Sequence, residues 1–406
     1  PDTADILEDL YRRNVFILAV DSEAGAGVAS LTTPLRLYRY HALFADFLRH
    51  RLIRELPQQA PELHRRAASA ELIPRRAIYH YAEAGMWDEA AAVINEIGLE
   101  NMRQGRLDLL SSWINLLPEA TRLAHPRLAY LMGLCELQKG DPVAAERWLV
   151  EAFTQARNAG NKAIQGAALA AMGSVSFVQL QFAQTLDYVS RALPYKVSPY
   201  VRVQALMARA SVALFSGDWD QASADLEEAL ALVEEADSNQ EALLALMLFL
   251  GQEFTLLPGK LERIEAFCAR VQESLGGPLT PSTGSGFRPV RLGLRDVLAF
   301  IHLRRGRLRE AIATGERAIQ HKDQLGGYYP FLGLNASITV ATAQAALGNY
   351  EVAGRYLGLM ESAVSALPLN HHTVANGLFP QARTYWLQGR DGDVRAVQNE
   401  MCVLAS

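Results

Sequence analysis

A turn signature that recurs about nine times limits what this chain can fold into. Four copies align most clearly: Gly140-Asp141, Gly217-Asp218-Trp219, Gly306-Arg307-Leu308 and Gly348-Asn349-Tyr350. Five positions after each glycine stands a small residue, Ala145, Ala222, Ala311 and Ala353. Seven positions before it stands another, Gly133, Ala210, Ala299 and Ala341. Two antiparallel helices joined tightly need a glycine at the turn and small residues where the backbones approach. The pattern predicts stacked helical hairpins, a scaffold that binds rather than catalyses.

Further copies fall at Gly85, Gly105 and Gly259. A degenerate one has Gln181-Phe182 at the turn, with Gly173 before it and Ala192 after, and a weak one falls at Gly389-Arg390. From Gly140 onward the markers lie about 37 to 47 residues apart, longer than a standard tetratricopeptide repeat of about 34. The expected fold is all-α, a right-handed superhelix of tetratricopeptide-like hairpins. Half of the 406 residues are hydrophobic, enough for a continuous core. The net charge of −5 gives no general attraction to nucleic acid or anionic lipid. Cys135, Cys268 and Cys402 are too far apart for a disulfide framework or a metal cluster and read as buried, reduced thiols of a cytoplasmic protein. No apolar run is long enough to span a bilayer, and no signal peptide is visible.

The first 55 residues break the pattern. Asp5–Asn14 reads as a helix, Val15–Val20 as a strand, Asp21–Pro34 as a flexible tract, Leu35–Tyr40 as a second strand and His41–Leu56 as an amphipathic helix. That order is the back half of a winged-helix module. The expected domains are a partial winged helix with a short β-hairpin (1–56), a helical linker with the first repeats (57–130) and a superhelical sensor domain (131–406).

Residues Leu10–Ile17 (LYRRNVFI) and Tyr38–Leu48 (YRYHALFADFL) resemble the winged-helix segment of MalT-like, LuxR-type large ATP-binding transcriptional regulators, within the signal-transduction ATPases with numerous domains. The likeness continues through Leu63–Ala68, Ala77–Gly85, Gly105-Arg106-Leu107 and Trp113–Pro118. It implies a modular regulator: an ATPase, a winged helix, a helical sensor array and a C-terminal DNA-binding helix-turn-helix. ATP or ADP, and DNA, are accordingly expected only of a full-length protein. Within these 406 residues there is no G-x-x-x-x-G-K-[ST] loop, since Gly25-Ala26-Gly27 and Gly284-Ser285-Gly286 lack the lysine. The chain starts at Pro1 without a methionine and reads as part of something longer. The resemblance gives His41 a role as a contact to ADP phosphate, which the amides of a helix N-terminus suit. A histidine capping its helix or pairing locally is the plainer account, and Arg36 and Arg39 stand nearby.

No enzyme signature survives inspection. Glu227-Glu228 and Glu234-Glu235-Asp237 read as solvated positions, and the adjacent His371-His372 cannot converge on a metal without further ligands. The nine arginines and four acids between Arg36 and Arg76 read as an ordinary amphipathic helix surface, with a docking surface for the nucleotide domain or an acidic partner as the alternative. For ligand binding, counting back from the turn glycines picks out Gln204, Glu253, Asp296, Asn335 and Arg383, with Phe249, Phe379 and Trp386 as aromatic neighbours. Polar and aromatic groups meeting in a groove suit a small effector or a regulatory protein. Self-association is a further expectation, and a membrane is not. The Gly276–Pro289 stretch reads as a linker or a lid. The reading that results is an effector-sensing, oligomerisation-controlling region, with a protein-gathering tetratricopeptide scaffold as the alternative.

Overall fold

A computed structural model describes residues 3–13, 15–20, 37–179, 181–234, 246–247, 250–275, 288–323, 334–365, 381–386 and 388–405. The Asp21–Pro34 tract, Arg36, Phe249, His371-His372, Phe379 and most of Gly276–Pro289 lie outside them. The chain forms two compact units, residues 1–90 and 91–406, a division that falls inside the anticipated 57–130 linker.

In the first unit a helix (Thr3–Arg12) precedes two antiparallel strands, Ile17–Val20 and Leu37–Tyr40, which pair in the register Ile17↔Tyr40 to Val20↔Leu37. These are the only strands among the described residues. Ile17 is buried, and the amide of His41 donates to the carbonyl of Phe16 at 2.7 Å, closing the hairpin against the next helix, Ala42–Glu55. Phe16 takes a positive φ of 55° there. Its ring stacks on Phe44, which in turn stacks on Phe47. A second hairpin follows, Ala60–Ala70 against Pro74–Glu83.

The second unit is built from paired helices. Pro126–Lys139 packs on Pro142–Asn158, Lys162–Val178 on Phe182–Ala192, Pro199–Phe215 on Trp219–Glu234, Arg288–Arg304 on Leu308–Asp323, and Leu334–Ala346 on Tyr350–Ser365. Consecutive pairs also touch, as Pro142–Asn158 does Lys162–Val178 and Leu308–Asp323 does Leu334–Ala346. All eight turn glycines picked out in the sequence, from Gly85 to Gly389, adopt φ between 69° and 86°, left-handed backbone that any β-carbon would strain. The turns at Gly140, Gly217, Gly306 and Gly348 close the same way. At Gly140 the glycine amide donates to Leu137 and the Asp141 amide to Glu136, satisfying two orphan carbonyls. Asp141 then caps the next helix by accepting from the Ala144 amide at 2.8 Å.

Helix separation follows from the small residues. A β-carbon on Gly133 would lie 2.6 Å from the side chain of Leu149, and one on Gly173 would lie 2.8 Å from Val189. Ala145, Ala222, Ala311 and Ala353 have no exposed surface at all. Leu149 and Leu206 are fully buried, and each such side chain stabilises by about 2 kcal/mol. Between Pro199–Phe215 and Trp219–Glu234 the buried Asp225 accepts two bonds from the Arg209 guanidinium, at 2.9 and 2.6 Å, so its charge is compensated.

Two expectations change. The segment leading to Gly259 is not helical at Glu253: Gly251 is extended, and residues 252–256 form a 3-10 turn that Pro258 follows. Cys135 and Cys268 are buried, with burial pushing each thiol up to about 12, but Cys402 is exposed on the final helix, Asp391–Ala405. Among the described residues no helix is long and apolar enough to cross a membrane, and no three His, Cys, Asp or Glu side chains group as metal ligands.

Candidate functional site

A hollow of about 280 Å³ lies near the end of the second unit. One wall is the Tyr350–Ser365 helix, through Tyr350, Glu351, Gly354, Leu357 and Gly358. Their spacing of one, four, seven and eight places them on one helical face. The facing wall is Gln381, Thr384, Tyr385 and Gln388, again a single stripe, with Arg390 at the rim. Space remains because Gly354 and Gly358 carry no side chain, and a β-carbon on either would meet nothing within 4 Å. The lining is polar and aromatic. The Gln381 amide donates to the Tyr385 hydroxyl at 3.3 Å, and the Arg390 guanidinium lies 4.4 Å from the Tyr385 ring centre while bonding Asp393. Tyr385 is thus held by a side chain at its hydroxyl and a cation over its ring. Beside the hollow, Tyr356 donates its hydroxyl to Glu316 at 2.7 Å; burial and that bond push it up to about 12.

The residues picked from sequence do not converge on this hollow. Arg383 and Trp386 share the 381–386 helical turn with Gln381 and Thr384 but point away, and Trp386 is 65% exposed. Gln204 is 1% exposed and donates to the Ser174 hydroxyl at 3.2 Å, as a helix-to-helix link. Glu253 folds its carboxylate over Gly251, and burial raises it above the ordinary carboxylate range. Asp296 is buried on Arg288–Arg304, and Asn335 is half-buried on Leu334–Ala346. Of the residues picked from the turn spacing, Arg383 and Trp386 alone share an element with the lining of the hollow. Tyr350 and Tyr385 were missed, although the Gln381, Thr384, Tyr385, Gln388 spacing is a readable helical stripe.

In the first unit His41 occupies the N-cap of Ala42–Glu55, exposed, and caps through its backbone alone: its carbonyl accepts from Phe44 and Ala45, and its side chain makes no cap bond. The first turn of that helix holds no acid. The four acids between residues 36 and 76 all pair locally with arginine: Asp46 with Arg49, Glu55 with Arg51, Glu62 with Arg65 and Glu71 with Arg76. Across the second hairpin His64 and His80 bring their Nδ1 atoms to 2.9 Å. Burial, then the charge of His64, holds His80 below its ordinary value.

These two units have known counterparts. Residues 1–60 match the model of the MalT winged helix domain. The chain resembles the MalT regulators. It is 26% identical over 242 residues to the HTH-type transcriptional regulator MalT of Vibrio campbellii, which covers 58% of this chain and 25% of that protein. The chain therefore spans a quarter of the length of that MalT relative. Two solved structures share the fold at low identity. A signal-transduction ATPase with numerous domains from Pyrococcus horikoshii, carrying a tetratricopeptide repeat sensor, aligns with a TM-score of 0.51 and 14% identity over 90% of this chain and 55% of that one. A Rap protein complexed with Competence and Sporulation Factor aligns with a TM-score of 0.55 and 15% identity over 82% and 96%. A MalT-like winged helix thus precedes a tetratricopeptide-type array on one chain, and the described relatives are transcriptional regulators.

Proposed function

We propose that this chain is the effector-sensing and oligomerisation-controlling part of an ATP-dependent, LuxR-type transcriptional regulator. The observation that carries the proposal is the joining of a MalT-matching segment at 1–60 to an array that ends in a polar, aromatic hollow. A small effector enters between Tyr350 and Tyr385, stacks on the aromatic faces and exchanges hydrogen bonds with Gln381, Gln388 and Glu351. Such control requires that the effector bind one arrangement of the array better than another. Gly354 and Gly358 leave the room that a closing movement would use.

ATP and ADP belong to another part of the regulator, and DNA to a C-terminal module. On this chain His41 is the residue suited to meet ADP phosphate, because an exposed imidazole stands at an acid-free helix N-terminus. The array carries no chemistry of its own in this reading, and the protein acts in the cytoplasm.

A thermal-shift screen of sugars, amino acids and phenolics tests the site. Tyr385→Ala is expected to weaken a hit at least tenfold while Trp386→Ala, on the outward face, leaves it within twofold. The reverse ranking would return the site to the residues first read from sequence, and equal loss or no loss in both would remove it from this end of the array. The scaffold alternative draws on the aromatic ladder of Phe177, Phe182 and Phe215, whose rings lie 6.0 to 6.2 Å apart with Phe215 40% exposed.

A further inference from the structure

The hollow beside Tyr350–Ser365 has two charged side chains in its lining, Glu351 and Arg390, and they are not equivalent. The Arg390 guanidinium is already engaged. Its Nε donates to the Asp393 carboxylate at 2.7 Å, and its Nη1 donates to the Gln388 side-chain oxygen at 3.3 Å. Its central carbon lies 4.4 Å from the centre of the Tyr385 ring. Asp393 balances its charge, and the ring covers one of its faces. Glu351 has no such counterpart. It stands exposed in the first turn of Tyr350–Ser365, and among the described residues no cation comes within ion-pair distance of its carboxylate. The helix N-terminus beside it supplies only a partial positive charge. Taken together, Glu351, Arg390 and Asp393 leave one negative charge at the hollow.

The neutral lining favours the same sign. Tyr350 and Tyr385 come from opposite walls, and the face of an aromatic ring attracts a cation. Leu357, with the bare Gly354 and Gly358, leaves apolar room for a hydrocarbon body. An anion would meet Glu351 while the guanidinium opposite is already matched. A neutral ligand would gain only hydrogen bonds from that carboxylate.

We infer that the effector admitted here carries a protonated amine. Its ammonium group sits against the Glu351 carboxylate and the Tyr350 and Tyr385 rings, and its hydrocarbon part fills the space beside Gly354 and Gly358. The inference rests on the effector site proposed above and adds the chemical class of its ligand. The ion pair forms at the exposed mouth of the hollow, so it contributes less than a buried one and weakens as salt is added.

The test compares phenethylamine with 2-phenylethanol, which differ only in carrying an ammonium or a hydroxyl group, by calorimetric titration of the chain at neutral pH. Phenethylamine is expected to bind about tenfold more tightly, the combined effect of an exposed ion pair and a cation–ring contact. Glu351→Gln should lower that preference to about threefold, and Glu351→Asp should keep more of it. Added sodium chloride should narrow the preference in the native protein and change the Glu351→Gln variant little. Tyr385→Ala should weaken both compounds. Equal affinity for the two, or a tighter alcohol, overturns the amine class, while the effector site stands if Tyr385→Ala still weakens both. Silence of both compounds also overturns the class, since a site for a hydrocarbon amine would take this one, and the broader screen then judges the effector site by itself. An amine preference that survives both Glu351→Gln and Tyr385→Ala places the binding elsewhere and removes the inference.

Discussion

Glycine does opposite work in two parts of the array. At Gly133 and Gly173 it seals an interface, because the facing helix stands where a β-carbon would have to go. At Gly354 and Gly358 nothing stands opposite within 4 Å, and the missing side chains become a hollow of about 280 Å³. The residue type is the same, although Gly133 and Gly173 stand on the first helix of a hairpin and Gly354 and Gly358 on the second. What differs is the neighbour: Leu149 and Val189 fill the space at the first two positions, whereas the stripe from Gln381 to Gln388 stands back from the last two. A helical glycine is costly on its own, so it persists where closeness or room repays the loss.

Substitutions should separate the two roles. Gly133→Val drives carbon into Leu149 and towards the Ala145 carbonyl, and should destabilise by about 3 kcal/mol in urea denaturation. A loss below about 0.5 kcal/mol would mean that the pair is not sealed there, since surface changes stay within that range. Asp141→Ala removes the cap between the same two helices and should cost about 1 kcal/mol. Gly354→Ala should act in the other direction, adding about 0.5 to 1 kcal/mol of helix stability while narrowing the hollow and weakening any effector that enters it. A destabilised Gly354→Ala would erase the contrast. The smallest effect concerns charge. His80 is held below the ordinary histidine value of about 6.5, so the unfolded chain binds its proton more readily and stability declines as pH falls below about 6.5. Comparing unfolding midpoints at pH 8 and pH 5.5 should show a drop that His80→Gln reduces.

Much of the framework was legible in the sequence because its cause is local. A left-handed turn residue, an Asp that caps the following helix and small residues at fixed offsets act within a dozen positions, so Gly140, Gly217, Gly306 and Gly348 could be read directly. The winged-helix segment was legible through its strand alternation and the YRYHALFADFL run. Glu253 was misplaced because Gly251 and Pro258 break the helix that the turn spacing implied. Site residues were harder: Gln204 reads as a polar groove residue yet spends its amide on Ser174 inside the packing.

The sequence by itself determined that helices would pair, where each pair would turn and that a MalT-like opening would precede them, since those features depend on residues close along the chain. Only the tertiary structure decided which faces of neighbouring helices meet, and so which glycines are filled against and which left open. It alone brought Glu351 and Tyr385, from separate helical segments, to the walls of one hollow. Burial and the identity of the facing side chain depend on residues far apart in the chain, and turn spacing carries no record of either.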